Sequence, residues 1–243
     1  MLTIRCFLAV KLDLDTVRGV AEAQVGLRDA CRDLGMRVAW VPPPNMHVTL
    51  RFLGQVTEPM AYALKEMLEP AVRGVAPFEL SSVGLGAFPS PLHPKTIWAG
   101  TGVGTTQLCE LADGVTTRLV EAGFRFSDQT FRSHITIGRV KEGGGEAFAK
   151  HLSGSSEELY GSSIVRNIYC YRSDLKPSGA EYHALWRLPF GKEWHPPDTD
   201  IAQNHINEDY QFDDADEGID DEGGNEDLGA DSSDRDPEGS EAT

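Results

Sequence analysis

Two stretches of this chain, "NMHVTLRFLG" at 45–54 and "RSHITIGR" at 132–139, alternate polar and apolar residues with period two. That alternation is the mark of a half-buried strand. It places His47, Thr49 and Arg51 on one face and Val48, Leu50 and Phe52 on the other, and likewise sets Arg132, His134 and Thr136 against Ile135 and Ile137. With 7 His and 14 Thr in 243 residues, His-x-Thr arises by accident roughly 0.4 times, and about 0.01 times when an aliphatic residue must follow both. A chain that writes this strand twice must bury two aliphatic faces and find a use for two reactive-polar ones.

The intervening sequence supplies the rest of an α+β domain. "TIRCFLAVKL" reads as a strand, and Asp13 or Asp15 caps a helix running to about Leu34, with Val17, Val20, Ala21, Val25 and Leu27 among its apolar positions. "RVAWV" is a short strand, "PPPN" a break, and Thr57 the cap of a helix with Pro59 in its first turn and Pro70 near its end. The second half echoes this order: strands "FELSSVGLGAF" and "TIWAGTG", a helix ended by Gly123, a strand over 132–140 and a short helix at 145–153. Strands "SIVRNIYCYRS" and "AEYHALWRLPF" close the domain around the turn "KPSG". The expectation is a bilobal, pseudo-symmetric α+β fold: two antiparallel sheets facing a central cleft, with helices outside.

The folded part is shorter than the chain. Residues 198–243 hold 18 of the 38 acidic residues and one base, Arg235, leaving the remainder close to neutral. Such a segment has too little apolar surface to offset the entropy of ordering. The sequence therefore divides into a domain over 1–195 and an acidic, disordered tail over 196–243. Cys6, Cys31, Cys109 and Cys170 show no C-x-x-C spacing and read as free thiols of a reducing cytoplasm. No stretch has the roughly 20 uninterrupted apolar residues of a membrane span, so a soluble, cytoplasmic monomer is expected.

Two imidazoles, two hydroxyls and nearby guanidinium groups suit phosphoryl transfer. One imidazole can serve as general base toward water while the other, protonated, donates to the leaving oxygen. Hydroxyls and arginines would stabilise charge on the phosphorus-bound oxygens. Neither strand adds a carboxylate or thiolate to the polar face, so no metal and no cofactor is expected. "GTGVGTT" at 100–106 lacks the Gly-Lys-Ser/Thr of a P-loop and reads as a strand-to-helix turn. His93, His183, Phe88 and Trp98 read as surface or packing residues.

"HVTLRFLG", "HITIGR", "RCFLAV", "LGAFPSPLHPKTIWAG" and "LKPSGAEYHAL" together resemble the two-histidine phosphoesterase superfamily, in its branch of RNA 2′,3′-cyclic phosphodiesterases, also called 2′-5′ RNA ligases. The resemblance spans about residues 3–190. It implies hydrolysis of an RNA 2′,3′-cyclic phosphate end to a 2′-phosphomonoester, with RNA ends or cyclic nucleotides as substrate. By it, His47 is the proton donor, His134 the proton acceptor, and Thr49, Thr136 and Arg139 bind the phosphate. Strict alternation puts Arg139 opposite His134, so a bulge or strand end must turn it inward. Action on a 2′-5′ linkage or a small cyclic nucleotide, or RNA-end binding without turnover, remain alternatives, and Arg51 and Arg132 are further candidates for the substrate.

Overall fold

Aliphatic runs with one polar face build most of the strands. The computed structural model describes residues 2–126, 130–176 and 179–191. The acidic tail, its boundary at 195–196 and residues 177–178 of the "KPSG" turn lie outside them. Among the described residues, nine strands and four helices follow in order: β1 (Thr3–Lys11), α1 (Leu14–Asp33), β2 (Arg37–Trp40), β3 (His47–Thr57), α2 (Glu58–Val72), β4 (Phe78–Pro89), β5 (Pro94–Thr101), α3 (Thr105–Glu121), β6 (Ile135–Glu142), α4 (Glu146–Ser153), β7 (Leu159–Val165), β8 (Asn167–Lys176) and β9 (Gly179–Pro189). A 3-10 turn, Pro43–Asn45, precedes β3.

The α+β class holds, but the two separate sheets do not. All nine strands belong to one antiparallel sheet, ordered β7-β4-β5-β6-β3-β1-β8-β9, with β2 beside β6. The two halves meet where β3 and β6 share a single pair, Val48 with Ile135. This contact covers part of the edge of β3 and the start of β6, whose remaining edge is covered by β2 from Gly138 onward. The sheet is also strongly curled. β7 and β8 stand six places apart in it yet are joined through Arg166 alone. Flat, they would be roughly 29 Å apart at 4.7–4.9 Å per strand, far beyond the reach of one linking residue.

The aliphatic faces pack against the helices. α1 lies against β7 and α4, α2 and α3 pack on each other, α2 rests on β9 and α3 on β3. Val48, Leu50, Ile135 and Ile137 are buried with Val17, Val20, Leu64, Leu68, Leu108 and Leu111 in one core. Five local details depart from or refine the expectations. Phe52 is 55% exposed and Leu53 takes its place in the core, because the β1–β3 register slips between Leu8 and Ala9 and again between Cys6 and Phe7. Val25 points to solvent at 56% exposure. "SIVRNIYCYRS" is two strands broken at Arg166, and β6 begins only at Ile135. Pro70 lies inside α2, which continues to Val72.

Candidate active site

The seam positions both motifs. Around the Val48–Ile135 pair, continuing the antiparallel count sets His47 across from Thr136 and Thr49 across from His134, all opposite the buried face. The two histidines then stand diagonally, a placement of roughly 7–8 Å in an ideal ladder. Because only one pair forms, the strands part on either side of it, and a cleft of about 620 Å³ opens beside it, lined by Thr49, Arg51, Phe88, Arg132 and His134 among others but not by His47, Thr136 or Arg139.

Both imidazoles are held alike. His47 Nδ1 donates to the Asn45 carbonyl oxygen at 2.8 Å, and His134 Nδ1 donates to the Arg132 carbonyl oxygen at 2.7 Å. A carbonyl only accepts, so each Nδ1 carries the hydrogen and Nε2 is the reacting nitrogen in both rings. In the neutral His47 ring, Nε2 accepts from the Thr49 hydroxyl at 3.0 Å. Asn45 is itself anchored, its Nδ2 donating to the Ala180 carbonyl oxygen at 2.9 Å. That links the motif to β9.

The surroundings disfavour positive charge. Burial lowers the pKa of His47 to about 4 against the opposing hydrogen bond to Asn45, and the nearby charges of His134 and Arg139 lower it further. Burial likewise lowers His134, and Arg139 adds to the effect, while the Arg132 carbonyl opposes it. Burial disfavours charge of either sign, and only the smaller Coulombic contribution, from Arg139 on both rings and from His134 on His47, favours an anion between them.

The anticipated bulge brings Arg139 to this face. In the β5–β6 pairing, Ile97 faces Gly138 but Trp98 faces Thr136, so Ile137 is the extra residue. A Cβ on Gly138 would meet Val38 and Trp40 at 2.9 and 3.1 Å, on the core side. Arg139, next along, therefore returns to the side of Thr136, consistent with its electrostatic effect on both histidines and on Tyr182.

Arg51 is engaged by the scaffold: its Nη2 and Nε donate to the Thr116 hydroxyl of α3 at 2.8 and 3.2 Å, and its guanidinium lies 4.9 Å over the Phe126 ring. Arg132 lies over Phe88, whose ring meets His134 edge-on at 5.1 Å. Trp98 fills the space above Gly86, where a Cβ would collide with its ring. Ser133, just before His134, accepts from the Thr101 hydroxyl at 2.8 Å. The 100–106 turn is structural: Gly102 and Val103 donate their N–H groups to Ser81, and Gly104, at φ +80°, passes too close to Glu79 for any side chain. His93 is exposed, and His183 faces Asp174 and Glu181. Among the described residues, no group of three or more His, Cys, Asp or Glu side chains is placed to hold a metal, and no helix is long and apolar enough to cross a membrane.

Sequence reasoning missed the aromatic cage of His47. Phe7 stacks on its ring at 4.8 Å, Tyr182 meets it edge-on at 5.4 Å and Tyr171 stacks behind Phe7. The period-two tyrosines of "YCYRS" were the available signal, since Cys170 between them faces the core.

Comparison with known proteins places the chain in a family. A family described as LigT-like phosphoesterase matches residues 11–98. The chain is 35% identical to the RNA 2′,3′-cyclic phosphodiesterase of Archaeoglobus fulgidus, over 75% of this chain and 98% of that one. It is 31% identical to the protein of the same name from Methanothermobacter thermautotrophicus, over 74% and 95%. The fold matches TT0787 of Thermus thermophilus with a TM-score of 0.63 at 27% identity, covering 79% of this chain and all of that one. It matches E. coli LigT complexed with 3′-AMP with a TM-score of 0.63 at 21% identity and the same coverage. Matched along nearly the whole length of such relatives, the chain belongs to the LigT-like two-histidine phosphoesterases, the family of the RNA 2′,3′-cyclic phosphodiesterases.

Proposed function

We propose that this protein hydrolyses RNA 2′,3′-cyclic phosphate ends to 2′-phosphomonoesters. The observation that carries the reading is the matched pair of imidazoles, each with its Nδ1–H tied to a carbonyl two residues upstream, on one face at a splayed seam. His134 Nε2 takes a proton from water as the water oxygen attacks phosphorus. The bond from phosphorus to the 3′ oxygen breaks, and His47 gives that oxygen its proton. Thr49, Thr136 and Arg139 hold the non-bridging oxygens, where a guanidinium and hydroxyls stabilise the added charge.

The acid must acquire its proton. With a pKa near 4, His47 is neutral in the free protein at pH 7. A phosphodiester anion beside it raises that value, so substrate binding and protonation are coupled. The test is hydrolysis of a cyclic-phosphate-ended oligonucleotide in EDTA. Turnover should persist in the wild type and vanish in His47→Ala and in His134→Ala. Full activity in either variant refutes the assignment.

A further inference from the structure

We infer that the concave face holds a second anion site, which takes the phosphodiester of the nucleotide preceding a cyclic-phosphate RNA end; the inference rests on the function proposed above. Thr49 pairs with Ala9, Ala9 with Tyr169 and Tyr169 with Arg187, so one ladder row crosses four strands away from the histidines. The neighbouring Cys170 and Trp186 are buried on the opposite side. At 4.7–4.9 Å per strand, Tyr169 stands roughly 9–10 Å from Thr49, with the small, buried Ala9 between them. Lys11, ladder partner of His47, leads to the same place.

There the chain forms a cavity of about 260 Å³, lined by Lys11, Asp13, Arg166, Asn167 and Tyr169 among others. It falls below the roughly 300–1,000 Å³ of pockets for drug-sized ligands, and suits a phosphate with part of its ribose. Lys11 and Arg166 stand at its wall, Arg187 adjoins Tyr169 in the ladder, and the carboxylate in its lining, Asp13, already accepts from the Ile164 N–H at 2.9 Å. The Arg187 and Asn167 side chains both bond Tyr169, and each keeps one buried atom without a hydrogen-bond partner: the donor Nη2 of Arg187, just outside the cavity lining, and the acceptor Oδ1 of Asn167. A buried guanidinium nitrogen left without a partner is costly. An RNA phosphodiester supplies both an acceptor and a counter-charge, and the 2′-hydroxyl beside it is a donor for Asn167 that DNA lacks.

Arg166 is exposed, so Arg166→Gln tests the site without disturbing the core. Expected is a roughly tenfold rise in KM for a trinucleotide ending in a 2′,3′-cyclic phosphate, with a nucleoside 2′,3′-cyclic phosphate changed by less than about twofold. Equal loss on both substrates, or loss on neither, overturns the site. Binding of the product trinucleotide, ending in a 2′-phosphate, provides an arm independent of turnover. Its affinity should exceed that of the nucleoside 2′-phosphate, and the slope of log Kd against log salt should shrink by about 0.7 in the variant. An unchanged slope, or a trinucleotide held no tighter than the mononucleotide, also overturns it. Failure of the wild type to hydrolyse either substrate counts against the proposed reaction, and the binding arm then decides the site alone.

Discussion

His47 should make the fold sensitive to mild acid. In the unfolded chain its imidazole titrates near 6.5, whereas in the folded protein burial lowers it to about 4. The unfolded state therefore takes up the proton first as pH falls. Stability from this group is complete above about pH 6.5 and drains as pH drops toward 4, below which both states are protonated and no more is lost. Between pH 7 and pH 5 the loss is about 2 kcal/mol, or roughly 4–8 °C in Tm for a domain of this size. Carboxylates titrate in the same region, so the informative quantity is the difference between the wild type and His47→Gln, each melted at pH 7 and pH 5. The variant should lose less stability than the wild type across that interval, and His134→Gln should differ in the same direction, because burial lowers His134 too. A His47→Gln protein with the wild-type pH dependence would refute the claim that this imidazole is buried in its neutral form.

Four further outcomes follow from the same geometry. The reaction needs one proton shared between two imidazoles whose free-state pKa values are both lowered, so the bell of kcat/KM against pH should centre below about 6.5; an alkaline optimum in that profile would contradict it. Asn45→Ala removes the tie to Ala180 that steadies the carbonyl holding His47, and should lower kcat several-fold while denaturant titration shows a loss of only about 1 kcal/mol. Gly138→Val drives a side chain into Val38 and Trp40 and should cost about 1–3 kcal/mol in the same titration. Arg51→Met and Arg139→Met should separate: Arg51 is bonded to Thr116, so its loss lowers Tm more than kcat/KM, whereas loss of Arg139 does the reverse.

The division between these two arginines shows where period-two reasoning holds and where it stops. Alternation needs only local backbone geometry, so it places His47, Thr49, His134 and Thr136 on one face and Val48 and Ile135 on the other, as the seam requires. Each β-bulge inserts one residue and reverses the parity beyond it. The slip between Leu8 and Ala9 turns Phe52 outward and gives its core position to Leu53, and the extra Ile137 turns Arg139 toward the histidines. The need for a bulge before Arg139 was legible, because a phosphate-binding role and strict alternation conflict there. Nothing comparable marked Phe52. The joining of two lobes into one sheet was hidden for a different reason. It depends on one backbone pair between strands 87 residues apart (Val48 and Ile135), and a single pair leaves no pattern in either strand. Under the proposed reaction, that same sparse pairing is what would let the two motifs share one anion and admit it between them. The feature least visible in the sequence is thus the one that turns two ordinary strands into one candidate site.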